Sequence, residues 1–155
     1  MYAVQHLMLV GITLPWRAIA FSPAPWTAID TVAATCGALG IAFAAVADEQ
    51  LHAFTCSASS ATPQVLRTGL WAFSRHPAHF GEQLWWWSAA MFAVSVGQTW
   101  TASGTLFNSA CMVPIMQMVE ERMMRKTARR QAMLQYIAEV PFCVPLLSVK
   151  TLRRS

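Results

Sequence analysis

Charge is scarce in this sequence, and the scarcity excludes most soluble folds. Lys, Arg, Asp and Glu make up 12% of the 155 residues against 55% hydrophobic ones, with a mean hydropathy of +0.40. A soluble domain carries about twice that charged fraction. Histidine is scarce too, at four residues, which argues against the histidine-rich di-iron chemistry of some membrane enzymes. The four cysteines, Cys36, Cys56, Cys111 and Cys143, include no C-x-x-C pair. Neither a disulfide framework nor a zinc site is indicated, and buried free thiols are expected. No Lys or Arg precedes the N-terminal apolar stretch and no clear small-x-small site closes it, against a cleaved signal peptide. The net charge of +4 and pI near 9.2 sit beside apolar segments rather than among stacking aromatics. No nucleic-acid partner is expected, and a positive-inside membrane topology accounts for the charge.

What is present is a series of apolar segments. Met1 to about Phe21 is interrupted only by Gln5, His6 and Arg17, with Pro15 and Trp16 near its end. Ser22-Pro23-Ala24-Pro25-Trp26 reads as a turn, and Trp16 and Trp26 suit an interfacial belt. Ile29–Ala47 has the length of a bilayer span and is uncharged apart from Asp30. Its Ala33, Ala34, Gly37, Ala38, Gly40 and Ala44 would let another helix approach closely. Leu84 to about Val96 and Thr105 to about Val119 complete the set, joined by a tight reversal over Gly97–Gly104. Thr55–Thr68, with Pro63, reads as a loop.

The last span is expected to continue as a charged helix containing Glu120, Glu121, Arg122, Arg125, Lys126, Arg129 and Arg130. Glu121 and Arg125 have i to i+4 spacing. Met123, Met124, Ala128, Ala132 and Met133 form an apolar stripe that would lie against the bundle. Pro141 and Pro145 end the helix before a basic tail. Together these readings predict an all-α, polytopic integral membrane helix bundle, one domain over 1–155. It has about four transmembrane spans and a cytosolic amphipathic C-terminal helix. Counting Arg and Lys places Arg67, Arg75, the region from Glu120 to Ser155 and both chain ends on the cytosolic side.

The densest chemistry lies in Gly69–Trp87, GLWAFSRHPAHFGEQLWWW. Pro77 disfavours helix at His76 and suits a first helical position, so Ser74-Arg75-His76 should be an extended turn that starts a helix at Pro77. Backbone N–H groups there, with Arg75, would favour an anion such as a phosphate or carboxylate. His76, His79 and Glu82 resemble half of a metal site, but no metal is expected. Trp85, Trp86 and Trp87 suit an interfacial belt, and His6 and His52 read as ordinary interfacial histidines. Asp48, Glu49, Gln50, Leu51 and His52 close the second span with a further polar cluster. The central loop and the charged helix are expected to converge with it on one face, as a ligand site between helices requires.

These residues carry a resemblance. The central stretch, preceded by ADEQLHAF and followed by GTLFN, VEERM and LQY, resembles the C-terminal domain of the steroid 5-alpha-reductase family over Asp48 to about Pro145. The likeness is greatest to membrane proteins carrying G-L-W-x-x-S-R-H-P-N-Y-F-G-E. The wider superfamily includes sterol reductases and isoprenylcysteine carboxyl methyltransferases. The resemblance implies a helical membrane enzyme of lipid metabolism, an NADPH-dependent reductase of a lipid-soluble enone or sterol-like substrate. It implies a cofactor site lined by Asp48, Gln50, Arg75, His76, Glu82, Asn108, Glu120 and Tyr136. No catalytic proton donor is assigned. The signature's Asn and Tyr are replaced by Ala78 and His79, and an earlier tyrosine of the late helix by Met133. The N-terminus is also short against such proteins, as in a truncated form. The alternatives are an S-adenosylmethionine-dependent carboxyl methyltransferase, since the R-H-P core does not separate the two, and an inactive membrane scaffold. The expected partners are the bilayer and a lipophilic small molecule. In a eukaryote the expected location is the endoplasmic reticulum or another internal membrane.

Overall fold

The computed structural model describes residues 2–57, 65–125 and 127–145. Half of the Thr55–Thr68 loop, including Pro63, as well as Lys126, the side chain of Ala128 and the basic tail lie outside the described residues. The described chain is helical, without strands: α1 (Tyr2–Ala20), α2 (Ala28–Ser57), α3 (Pro77–Ser95), α4 (Ala102–Met124) and α5 (Thr127–Glu139). Short 3-10 turns at Gly69–Ala72 and Thr99–Thr101 precede α3 and α4. The all-α expectation is met. Among the described residues one helix, α2, is long and apolar enough to cross a membrane.

The chain divides into two compact units, Met1–Ile41 with Glu82–Ile115 and Ala42–Gly81 with Met116–Ser155. In the first unit, small residues set the packing. Gly11 and Gly104 bring the backbones of α1 and α4 together, and a Cβ on Gly11 would stand 3.1 Å from the Gly104 Cα. A Cβ on Gly37 would meet the Ser88 hydroxyl at 2.6 Å and the Trp85 ring at 3.3 Å, so α2 and α3 also approach at a glycine. Ala33, Ala89, Ala90 and Ala93 are buried around this contact. Small side chains thus do what the sequence predicts for them, letting helices approach where bulk would hold them apart. Trp16 packs on Trp85 and Trp26 on Phe92, with ring centroids 5.6 and 5.7 Å apart.

Asp30, the acid near the start of the apolar segment, belongs to a capping box. Its Oδ2 accepts from the Thr27 N–H and hydroxyl at 2.7 Å each, while the Asp30 N–H donates to the Thr27 oxygen at 3.4 Å. Its Oδ1 accepts from Ser95 at the end of α3. Helix α3 closes on Gly97, whose φ of +79° permits a Schellman cap. Gly97 N–H donates to Val94 O at 3.0 Å and Gln98 N–H to Ala93 O at 2.8 Å.

Four sequence expectations need correction. The reversal is shorter than Gly97–Gly104, because α4 starts at Ala102 and Gly104 lies inside it against Gly11. The charged helix is not continuous with the last span. It breaks after Met124, with a last backbone bond from Arg125 N–H to Glu121 O, and α5 starts at Thr127. The cysteines are free but not buried. Cys56 is exposed on the last turn of α2, and the other three are part-buried. The polar end of α2 also runs helically to Ser57, past the expected start of the loop, with Thr55 and Ser57 hydroxyls bonding back to carbonyls of the preceding turn.

Candidate functional site

In the second unit the signature segment is held from several directions. Gln50 Oε1 on α2 accepts the Leu70 N–H at 2.9 Å, and Trp71 Nε1 donates to the Ala47 carbonyl at 3.0 Å. Gly69 makes this possible. Its φ is +61°, and a Cβ there would fall 2.5 Å from Gln50 Oε1, so conformation and space both require glycine. From α5 the Tyr136 hydroxyl donates to the carbonyls of Trp71 and Ser74 at 2.7 and 3.2 Å. Beyond α5, Pro141 O accepts the Arg75 N–H at 2.9 Å and Cys143 O accepts the Ser74 hydroxyl at 2.5 Å.

Ser74-Arg75-His76 is non-helical and Pro77 is the first residue of α3, as expected from X-Pro sterics. The His76 N–H donates to Ser74 Oγ at 3.1 Å and the His76 carbonyl accepts the Phe80 N–H. The side chains then meet one carboxylate. Arg75 Nη1 donates to Glu120 Oε2 at 2.8 Å, and His76 Nε2 lies 3.0 Å from Glu120 Oε1. Arg75 and Glu120 side chains are 11% and 10% exposed. Phe142 covers both partners, its ring 5.2 Å from the Arg75 guanidinium carbon and 5.1 Å from the His76 ring centre. The His79 ring stands edge-on to His76 at 5.6 Å.

Burial sets the protonation states. It drives His76 down to about 4, with His79 and Arg75 repelling its charge further. The imidazole is therefore neutral near pH 7, and it donates its Nε2–H to Glu120. Burial also raises the Glu120 carboxyl, against the pull of Arg75. Tyr136 is pushed above its ordinary value by burial, and its proton is committed to two carbonyls. It acts as a clamp on the segment.

Six of the eight sequence-derived site residues, Asp48, Gln50, Arg75, His76, Glu120 and Tyr136, fall in this unit. Arg75, His76 and Glu120 touch directly, Tyr136 and Gln50 hold the same segment through its backbone, and Asp48 is exposed on α2. Glu82 and Asn108 fall in the first unit. Glu82 Oε1 accepts from Trp86 Nε1 at 3.2 Å one turn along α3. Asn108 is 2% exposed and its Nδ2 has no partner. The sequence reading missed Ser74, Trp71 and Phe142. A serine two positions before the helix cap was a legible signal for the first, whereas Phe142 reaches the site only through tertiary packing.

Three methionines of the late-helix stripe, Met123, Met124 and Met133, pack within this unit. Met133, Tyr136 and Val140 form a buried cluster against which Val65, Met123, Met124 and Ile137 pack. Met133 is thus a core residue beside the Tyr136 clamp. Among the described residues no group of three or more His, Cys, Asp or Glu is placed to hold a metal ion.

No curated protein and no solved structure matches the chain. One family does, over residues 1–140, a span that takes in both units and every residue of the Arg75, His76, Glu120 and Tyr136 cluster. The chain belongs to the family described as "Protein of unknown function (DUF1295)", which is related to steroid 5-alpha-reductase-like proteins.

Proposed function

We propose that this chain is a four-span membrane reductase of the steroid 5-alpha-reductase type, taking NADPH and a lipid-soluble substrate with a conjugated double bond. The spans lie within α1, α2, α3 and α4, the last of them ending at about Val119, and the charged end of the chain faces the cytosol. The membrane part draws support from an inverted distribution of side chains. Leu7, Leu39, Val94, Leu106 and Val113 stand exposed, while the largest fully buried side chains are Asn108, Thr101, Thr105, Pro15, Pro77 and Ser74. Water disfavours such an apolar exterior, and lipid favours it. Among described residues, Arg17 is the only Arg or Lys in the first unit, in keeping with a positive-inside topology. Helices α1, α3 and α4 dilute their hydropathy with Arg17, with His79 and the Trp85–Trp87 run, and with Asn108 and Glu120–Arg122.

The cofactor part rests on one observation: Arg75, a residue assigned to the site, holds a buried donor with no partner, its Nε. Buried donors are seldom left unmade, and a ligand rich in phosphate, ribose and amide oxygens would satisfy this one. The residues therefore fit a nicotinamide cofactor. Each Glu120 oxygen contacts one neighbour, Arg75 or His76, so on this reading it holds the two side chains in place as a positioning residue. The cofactor supplies a hydride when bound. Arg75 presents a fixed cation with one free N–H.

Titration of the detergent-purified protein with NADPH and with S-adenosylmethionine tests this reading. Saturable binding of NADPH is expected. Binding of S-adenosylmethionine alone would move the chain to the carboxyl methyltransferases, and binding of neither would leave an inactive scaffold. Arg75→Lys keeps a charge beside Glu120 but removes Nε, and should weaken NADPH by about thirtyfold.

A further inference from the structure

A polar recess lies in the first unit, and no residue assigned to the cofactor lines it. It is a cavity of about 520 Å³ where the end of α1 and the turn after it meet the reversal before α4, lined by Leu14, Arg17, Phe21, Ser22, Gln98 and Trp100 among others. Its polar groups have one thing in common. Arg17 makes no ion pair among the described residues. Gln98 Oε1 is taken by Trp100 Nε1 at 2.8 Å, which leaves the amide NH2 to donate. Ser22 Oγ accepts from the Ala24 N–H, so its own hydroxyl proton is free. No carboxylate lines the recess. The reversal that carries Gln98 is fixed by the Gly97 cap, so the donors are presented on a set backbone.

Donors without an acceptor, around a lone guanidinium, call for an anionic oxygen cluster. The rim says where that anion comes from. Phe21 and Trp100 stand 83% and 60% exposed, large aromatic groups at the ends of apolar helices, where rings favour the headgroup level of a bilayer. Leu14 and Ala18 offer an apolar wall continuous with the exposed face of α1. We propose that this recess binds the headgroup of an anionic phospholipid, with the phosphate on Arg17, Gln98 and Ser22 and the acyl chains along α1. The inference rests on the membrane-spanning part of the reading above and is independent of the reductase part. It also accounts for Arg17, the one basic residue in the first unit. On the four-span topology it lies in the leaflet that the positive-inside rule leaves poor in base, and an anionic lipid supplies its counter-charge.

The test is lipid retention by native mass spectrometry of the full chain, purified into mixed micelles with phosphatidylglycerol or phosphatidylcholine. The wild type should retain phosphatidylglycerol about tenfold better, Arg17→Gln should abolish that preference, and Arg17→Lys should keep part of it. Trp100→Ala should lower retention of both lipids and leave the preference. Arg17 and Trp100 are both exposed, so neither change removes a buried contact, and unchanged thermal unfolding is expected of each. Equal retention of the two lipids by the wild type, or an unaltered preference in Arg17→Gln, overturns the proposal. Displacement of phosphatidylglycerol by millimolar inorganic phosphate overturns the lipid as occupant. A carbonate wash separates the two readings. Release of the wild type from membranes overturns both, whereas retention without lipid preference overturns this one alone.

Discussion

Glu120 holds His76 and Arg75 with its two oxygens, at 3.0 and 2.8 Å. One carboxylate from the end of α4 therefore orders both side chains just ahead of α3. Glu120→Gln would leave a guanidinium only 11% exposed without a counter-charge, at a cost of about 3 kcal/mol. Chemical denaturation in detergent should show this. The double change Arg75→Met with Glu120→Leu should cost less than either charge-removing single change, because it leaves no charge stranded.

The pH dependence of stability follows from His76. Its folded-state value is depressed from 6.5 to about 4, so between those limits the unfolded chain binds more protons. The contribution is fully present above pH 6.5 and is lost as pH falls toward 4, by up to about 3 kcal/mol. Glu120, displaced upward, works weakly in the opposite direction. Denaturation midpoints should fall between pH 7 and pH 4.5, and the fall should be smaller in His76→Gln.

At Gly69, alanine meets two separate penalties. The backbone φ of +61° costs a residue with a Cβ about 1 kcal/mol, and the methyl would also lie 2.5 Å from Gln50 Oε1. Gly69→Ala should be relieved in part by Gln50→Ala and never fully. A double-mutant cycle on thermal stability measures the remainder.

Tyr136 separates clamping from ligand contact. Removal of its hydroxyl in Tyr136→Phe should cost about 1 to 2 kcal/mol of stability by freeing two carbonyls. If the hydroxyl only clamps the turn, NADPH affinity changes by less than about threefold, an amount a lost direct hydrogen bond would exceed. Paired stability and affinity measurements distinguish the two.

The sequence disclosed local features best. Pro77 set the start of α3, the small residues of α2 marked a close helix contact, and the methionine stripe found its core. Arg75, His76, Glu120 and Tyr136 were legible together only through resemblance, because nothing in the spacing of His76 and Glu120 brings them within 3.0 Å. The break after Met124 was missed because Glu120–Arg130 contains neither glycine nor proline. Cys56 was misjudged by treating cysteine as a buried type, when its helix had already become polar at Asp48.

The clamp on the signature has a consequence in time. Trp71 and Ser74 are tied to Tyr136 and Cys143, partners 62 to 69 residues further along the chain. At a ribosomal pace of about 5–20 residues per second, the segment waits roughly 3 to 14 s for them. During that interval Gly69–His76 has its α2 contacts but no closing partner, and Arg75 lacks Glu120 for most of it. The Gly69–His76 segment is thus among the last parts of this chain to become ordered, and a nascent chain halted before Tyr136 would carry the whole segment without its shape.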